Sequence, residues 1–185
     1  MRSLEPPSRP GSPSGAEMTG PGFRIRRAGV EDVPIILRFI RAIAEYERLL
    51  HEVTATEDDL RRTLFGERPS AEVLLGELDG QAIGFAIFFQ NYSTFLGRPG
   101  MYLEDLFVYP EHRGRGFGKA LLLAVARLAW ERRCGRFDWM VLNWNEPSIQ
   151  FYRSLGAVPM SDWTTMRVTG EALERLGRLA ETHVP

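Results

Sequence analysis

The spacing of apolar residues in the first part of the chain predicts a strand followed by a helix. Charged and apolar residues alternate over Phe23–Arg27, as they do in a strand at the edge of a sheet. Apolar side chains then recur at helical spacing over residues 31–50. Asp32 is a suitable N-cap for this helix, and Pro34 suits its first turn.

The next segment predicts a short helix and a hairpin. Thr56 and Asp59 have the spacing of a capping box, which indicates the start of a second helix. Residues 71–78 and 81–90 are apolar stretches on either side of Asp79-Gly80, a dipeptide typical of tight hairpin turns. We therefore expect two adjacent antiparallel strands here.

The second half of the chain continues the mixture of strands and helices. Its patterns predict a strand at residues 101–109, a helix at 114–133, a strand at 137–142, a helix at 146–155 closed by Gly156, a strand at 158–168 broken near Pro159, and a helix at 171–180. The inner face of the long helix carries Leu121, Leu122, Val125, Leu128 and Ala129. Together these elements predict an α/β domain built on a central sheet.

Residues 1–22 differ from the rest, because Pro, Ser and Gly alternate there without apolar periodicity. Such a segment buries too little surface to offset its ordering entropy, so we expect a disordered leader before a domain at residues 23–185. The leader lacks the apolar region of a signal peptide. Since nothing in the sequence directs the chain to secretion, we expect a cytoplasmic protein.

The charge balance excludes several classes of function. The chain has 23 basic and 24 acidic residues, which argues against a strongly basic nucleic-acid-binding protein. No apolar run approaches the roughly 20 residues that span a bilayer, so we expect no membrane partner. One cysteine, Cys134, precludes an internal disulfide, and the three histidines lie too far apart in sequence to indicate a metal site.

The most informative segment is a glycine-rich turn at residues 108–119. Pro110 ends a strand, and glycines then open a long helix, so backbone amides there can approach an anion closely. Arg113, Arg115 and Lys119, the chain's single lysine, add positive charge at the same end. This pattern predicts a phosphate-binding turn.

Two mismatches with known phosphate-binding motifs argue against two classes of phosphate ligand. A nucleotide P-loop requires Ser or Thr after Gly118-Lys119, but Ala120 is found there. The dinucleotide fingerprint requires a glycine where Lys119 stands. The remaining pattern is Arg113, Gly116 and Gly118, which resembles the acetyl-CoA pyrophosphate loop of the GNAT N-acetyltransferases.

Three further segments resemble the diamine (spermidine/spermine) acetyltransferase branch of that family, in the same order. They are residues 35–47, the Tyr-Leu-Glu-Asp sequence at 102–105, and the Trp-Asn-Glu-Pro-Ser-Ile-Gln-Phe-Tyr sequence at 144–152. The resemblance implies a mixed, mostly antiparallel sheet with helices on both faces. It also implies acetyl-CoA as acetyl donor, bound by Leu106, Phe107, Val108, Arg113, Gly114, Arg115, Gly116, Phe117, Gly118, Lys119, Asn145, Glu146, Pro147 and Ser148.

Two residues are candidates for proton transfer. Glu104 interrupts an apolar strand just before the expected cofactor residues, and the resemblance implies that it serves the acceptor amine through water. On a regular strand Asp105 would face away from it. Tyr152 lies seven residues after Asn145, about two helical turns, and its phenol suits protonation of a leaving thiolate. The alternatives are a solvent-facing Glu and a core Tyr.

The resemblance places Tyr46, Glu47, Glu104, Asp138, Trp139 and Met140 around the acceptor. An aromatic ring beside a carboxylate suits an alkylammonium group. Asn143 stands where well-known family members carry an acid, which favours short diamines or thialysine-like amino acids over long polyamines. We expect a homodimeric enzyme that acetylates a small primary amine in a ternary complex. The alternatives are acetylation of proteins or peptides, and a non-catalytic acetyl-CoA sensor.

Overall fold

The computed structural model describes residues 18–20 and 22–182, with side chains described over 22–179. The chain divides after Met140 into two compact units, of which the second begins at Val141. The sequence predicts a single domain over residues 23–185, and the division after Met140 falls within it.

The first unit contains a six-stranded sheet with its strands in chain order. The strands are β1 (Met18–Gly20), β2 (Phe23–Arg27), β3 (Glu72–Leu78), β4 (Gln81–Ser93), β5 (Arg98–Val108) and β6 (Phe137–Trp139). Neighbours from β1 to β5 are antiparallel, whereas β6 runs parallel to β5. The predicted mixed, mostly antiparallel sheet is confirmed.

Helices cover both faces of this sheet. They are α1 (Val33–Tyr46), α2 (Glu57–Phe65) and α3 (Phe117–Glu131). On one face, side chains of α1 and α2 pack with Phe85 and Phe107 in one buried cluster. On the other face, a Cβ added to Gly84 would meet the Leu121 side chain of α3 at 3.3 Å. The predicted inner face of α3 is buried throughout.

Several local predictions are confirmed. Thr56 accepts from the Asp59 amide, while the Asp59 carboxylate accepts from the Thr56 amide, which completes the capping box at the start of α2. Asp79 and Gly80 both have positive φ values, 49° and 81°, as a tight β3–β4 hairpin requires. Pro34 lies in the first turn of α1 after Asp32.

Buried ion pairs tie α1 to the sheet. Arg26 on β2 donates to both oxygens of Asp32 at 2.6 and 2.7 Å, and its Nε donates to Glu77 on β3 at 2.7 Å. Arg24 donates to the second Glu77 oxygen. Asp32 and Glu77 are almost fully buried, and these contacts hold the pKa of both carboxyls below their usual values despite burial. The start of α1 is thus held against two strands.

The amino-terminal part differs from its prediction. Residues 18–20 lie inside the predicted disordered leader, yet they form β1 and pair with β2, so β2 is not an edge strand. A three-residue strand carries too weak an alternation to be recognised from sequence. The rest of the predicted leader, residues 1–17 and 21, lies outside the described residues.

The second unit carries α4 (Glu146–Ser154) and α5 (Gly170–Thr182). Gly156 follows α4 with a φ of 91°, as predicted for its C-terminal turn. The strand predicted at residues 158–168 is wrong, because this stretch is irregular and exposed. A strand is stable only beside a hydrogen-bonded neighbour, and no strand pairs with this segment in the described part of the chain.

The described helices include none that is long and apolar enough to cross a bilayer.

Candidate active site

The predicted phosphate-binding turn connects β5 to α3. A short 3₁₀ turn, Pro110–His112, follows β5, and Gly114 and Gly116 then adopt left-handed conformations with φ values of 73° and 87°. These conformations delay the start of α3 to Phe117, three residues after the predicted start. The first backbone bond of the helix runs from the Ala120 amide to the Gly116 carbonyl, so the preceding amides have no helical acceptor.

The surface of this turn is open. A Cβ at Gly114 or Gly116 would meet no atom within 4 Å, so glycine is required there by φ and not by crowding. Arg115 and Lys119 are exposed beside it, and the Arg115 guanidinium stacks 4.9 Å from the Phe117 ring centroid. Amides without a helical acceptor, a helix N-terminus and two cations form a cradle that fits a pyrophosphate.

An open strand edge leads to this cradle. β6 pairs with β5 only from Met101 to Leu103, so the same edge of β5 has no strand partner beyond that point in the described chain. The Tyr109 amide donates to Ile83 on the β4 side. Because alternate residues of an antiparallel strand point their polar groups in opposite directions, those of Leu106 and Val108 point to the open edge. This edge fits an amide-containing chain such as the pantetheine arm.

A β-bulge lies where β5 and β6 separate. Ile87 pairs with Asp105 and Phe88 with Leu103, which leaves Glu104 without a cross-strand partner. Directly opposed residues share a face of the sheet, and Ile87 belongs to the cluster beneath α1 and α2. The Asp105 side chain therefore lies on the α1 face. Because side chains alternate between faces along a strand and Leu103 points away from α1, Glu104 also lies on the α1 face. The expected separation of Glu104 and Asp105 onto opposite faces is wrong, because the strand is not regular.

Two neighbouring carboxylates, Glu104 and Glu47, act on the Asp105 carboxyl. Burial, together with the charges of Glu104 and Glu47, raises the pKa of Asp105 to about 7. Partial burial also raises the pKa of Glu47, at the end of α1, whereas the Glu104 side chain is exposed. A carboxyl group that titrates near pH 7 is suited to accept a proton in a reaction at neutral pH. Sequence reasoning named Glu104 and Glu47 but missed Asp105, because its burial depends on the bulge.

Arg113 and Tyr46, predicted for the cofactor and the acceptor respectively, contact each other. The Arg113 guanidinium lies 4.6 Å from the centroid of the Tyr46 ring and 5.4 Å from that of Phe107. Its Nε donates to the Val108 carbonyl at 2.9 Å. The Tyr46 ring is expected to contact the cationic acceptor. One of its faces is already in contact with the Arg113 guanidinium.

The end of β6 lies beside the bulge. Trp139 pairs with Leu103, one residue before Glu104, and Asp138 forms an ion pair with Arg136 at 2.8 Å. Met140 follows and is exposed. The structure therefore brings Asp138, Trp139 and Met140 to the strand end next to Glu104, although the Asp138 charge is compensated by Arg136.

The remaining predicted residues belong to the second unit. Asn145 is the N-cap residue of α4, followed by Glu146, Pro147 and Ser148 in its first turn. Tyr152 lies near the end of the same helix, with its ring centroid 5.3 Å from that of Phe151. Burial raises the pKa of the Tyr152 phenol, so it stays protonated at neutral pH.

Two further observations concern alternative chemistry. Cys134 lies beyond the far end of α3, whose 15 residues span about 22 Å, and is thus remote from the phosphate turn. Within the described residues, no group of three or more His, Cys, Asp or Glu side chains is placed to hold a metal ion.

In a mostly antiparallel sheet, β5 separates from the parallel strand β6 next to a glycine-rich anion loop. This arrangement defines a fold of the acetyl-transfer class. The sequence profile of the Acetyltransferase (GNAT) family matches residues 39–157, on both sides of the division between the two units. The chain belongs to this family and is an N-acetyltransferase.

Relatives and solved structures agree with this assignment. L-ornithine N5-acetyltransferase NATA1 of Arabidopsis thaliana is 34% identical over 91% of this chain and 92% of its own length. Thialysine N-epsilon-acetyltransferase of Sus scrofa is 39% identical over 82% of this chain and 95% of its own length. The integron cassette protein VCH_CASS6 of V. cholerae superposes with a TM-score of 0.72 at 26% identity, covering 86% and 99% of the two chains. These matches confirm the resemblance to the diamine acetyltransferase branch.

Proposed function

We propose that this protein transfers the acetyl group of acetyl-CoA to a small primary amine by direct attack in a ternary complex. The observation that carries the proposal is the carboxylate cluster of Glu47, Glu104 and Asp105, placed where the open edge of β5 begins. Three carboxylates attract a cationic acceptor, and the adjacent edge and turn suit an anionic, amide-containing donor. Acceptor and donor sites therefore meet on one strand.

Acetyl-CoA supplies the thioester in this proposal, and residues of the first unit hold it. The amides of residues 114–119 and the side chains of Arg113, Arg115 and Lys119 bind its phosphates. The polar backbone groups of Leu106 and Val108 bind its amides as an added strand would. In the second unit, the segment 145–148 at the start of α4 completes the proposed binding residues.

We propose that Glu104 and Asp105 together bind and deprotonate the acceptor. An alkylamine of pKa ~10.4 is almost fully protonated at neutral pH and must lose a proton before attack. Exposed Glu104 attracts and orients the ammonium group, while Asp105 accepts its proton, directly or through one water. The neutral amine nitrogen then bonds to the acetyl carbon, the carbon–sulfur bond breaks, and Tyr152 protonates the leaving thiolate. The second proton, which the nitrogen releases as the amide forms, restores the Tyr152 phenol.

The proposed acceptor is a short diamine or an amino acid with a side-chain amine. Two relatives are named for ornithine and thialysine, and a neutral Asn143 stands where well-known family members carry an acid. One fewer negative charge weakens binding of a long polyamine more than binding of a short amine, because the polyamine carries more positive charges.

A panel of acceptors tests this function. Thialysine, ornithine, a short diamine, spermidine and a peptide are each incubated with the protein and acetyl-CoA while thiol release is recorded. We expect the highest kcat/KM for a short amine, and an Asn143→Asp variant to shift preference towards spermidine. A peptide as best acceptor would favour a protein acetyltransferase. Tight acetyl-CoA binding without turnover on any amine would favour a sensor.

Replacing Tyr152 by Phe is expected to lower kcat about 10²-fold, the low end for loss of a general acid. Cofactor affinity and fold should be retained, because the ring stays in place. The measurement is steady-state turnover together with calorimetric titration of CoA. Tyr92→Phe, an exposed tyrosine on β4, is the matched control and should match the parent protein. Unchanged turnover in Tyr152→Phe would remove the phenol from the mechanism.

We also propose a cytoplasmic homodimer whose contacts include the second unit. A single chain leaves many apolar side chains of this unit exposed, among them Leu155, Val158, Met160, Trp163, Met166, Val168, Leu173, Leu176 and Leu179. So much exposed apolar surface indicates an interaction site, and a second copy is the occupant that the family resemblance favours.

Light scattering at micromolar concentration is expected to give twice the 21.0 kDa chain mass. Met166→Glu should shift the mass towards one chain, because it places a charge among these apolar groups. Phe95→Glu, at a position 91% exposed on the first unit, should leave the dimer intact. A parent protein of single-chain mass would contradict the proposed dimer.

A further inference from the structure

Arg113 connects the two proposed binding sites. It follows the 3₁₀ turn after β5 and begins the anion cradle, while its side chain extends to the last residue of α1, Tyr46, at 4.6 Å from the ring centroid. Glu47, one of the three acceptor-side carboxylates, is the next residue after Tyr46. A single side chain therefore contacts an element of the donor site and an element of the acceptor site.

The position of Arg113 is defined by three contacts. Its Nε donates to the Val108 carbonyl, which occupies one polar group on the otherwise open edge of β5. The guanidinium lies 4.6 Å from the ring centroid of Tyr46 and 5.4 Å from that of Phe107, and Phe107 is buried in the core cluster. The Nη groups make no hydrogen bond within the described residues and stay available to an anion. Tyr46 is 39% exposed and Phe107 only 5%, so Tyr46 is the more solvent-facing of the two ring contacts.

We infer that Tyr46 is a positioning residue for the acetyl donor: by stacking on Arg113 it holds this guanidinium at the start of the anion cradle. The inference rests on the proposed function, because it takes the ligand of the cradle to be acetyl-CoA. It extends the role of Tyr46 from the acceptor to the donor. By linkage, donor binding that tightens this stack also orders the end of α1 and with it Glu47.

The test is calorimetric titration of CoA in the absence of any acceptor. Tyr46→Leu removes the ring and is expected to raise the Kd of CoA about three- to tenfold, the range of a partly exposed cation–π contact. Tyr46→Phe keeps the ring and should bind CoA within about twofold of the parent protein. Tyr92→Leu, which removes an exposed ring from β4, serves as the control and should change nothing.

The outcomes separate the inference from the proposed function. Parent-like CoA affinity in Tyr46→Leu overturns the inference, as does equal weakening in Tyr46→Phe and Tyr46→Leu, because the ring would then not be the cause. Failure of the parent protein to bind CoA overturns the proposed function itself. Thermal unfolding of each variant shows whether a change in Kd reflects folding, and weakening in Tyr46→Leu at unchanged Tm supports the inference.

Discussion

Replacing Asp105 by Asn is expected to lower kcat/KM for amine acetylation by at least about 10²-fold at pH 8 and to make the protein more stable at the same pH. Activity falls because the group that accepts the proton is lost. The parent protein should also show a limb of its pH–rate profile near pH 7, where Asp105 loses its proton, and this limb should be absent from the variant.

The sign of the stability change follows from the raised pKa of Asp105. The carboxyl titrates at about 7 in the folded chain and near its reference value of 3.8 in the unfolded chain, so folding takes up a proton between these values. Stability contributed by this group is therefore full below pH 4 and is lost as the pH rises to 7. The Asn variant avoids the buried charge, and we expect it to gain about 2–4 kcal/mol in free energy of unfolding at pH 8.

Urea unfolding of both proteins at pH 5 and pH 8 measures this difference, alongside pH–rate profiles. Glu104→Gln is the matched comparison, because Glu104 is exposed on the same bulge and should change stability little. Loss of the limb near pH 7 in Glu104→Gln, with a normal profile in Asp105→Asn, would assign proton transfer to Glu104. If Glu104→Gln has the same activity as the parent protein at every pH, Glu104 does not bind or orient the acceptor.

Arg26→Met is expected to lower the free energy of unfolding by about 3–5 kcal/mol, the usual cost of removing one partner from a buried ion pair. Arg26 bonds both Asp32 and Glu77, whose side chains are only 10% and 6% exposed. Without the guanidinium, Asp32 loses the one cationic contact that it has among the described residues, and Glu77 keeps only its contact with Arg24 there. Urea unfolding at pH 7 measures the loss.

An exposed ion pair provides the control for Arg26. Arg62→Met breaks a contact with Asp59 whose side chains are 72% and 43% exposed, and it should cost less than about 1 kcal/mol. Should Arg26→Met fail to fold, Arg26→Lys keeps the charge but not the paired hydrogen bonds and should give an intermediate loss. Equal stability of Arg26→Met and the parent protein would contradict a structural role for this network.

The same network predicts how acid affects the protein. The pKa values of Asp32 and Glu77 are lowered in the folded chain, so their stabilisation is present above their unfolded values and is lost as the pH falls through the folded ones. The difference in stability between the parent protein and Arg26→Met should therefore shrink below about pH 4.

Features predicted correctly from the sequence depend on neighbouring residues in the chain. The Asp79-Gly80 hairpin and the Thr56–Asp59 capping box need only the conformational preferences of a few residues, and both are present. The buried face of α3 follows from helical periodicity. Features that were missed depend on distant parts of the chain: β1 needs β2 as partner, and residues 158–168 have no partner strand among the described residues.

By itself, the sequence determined the class of the protein, because the glycines and cations of the phosphate turn and the segment 144–152 are local patterns with a chemical meaning. It also named Glu47, Glu104 and Tyr46 for the acceptor. Only the tertiary structure decided how these groups are combined. The bulge at Glu104 turns Asp105 towards α1, where burial raises its pKa, and the stack of Arg113 on Tyr46 joins two sites 67 positions apart in the sequence. Burial and contact of this kind depend on which distant segments pack together, and residue patterns along the chain do not encode them locally.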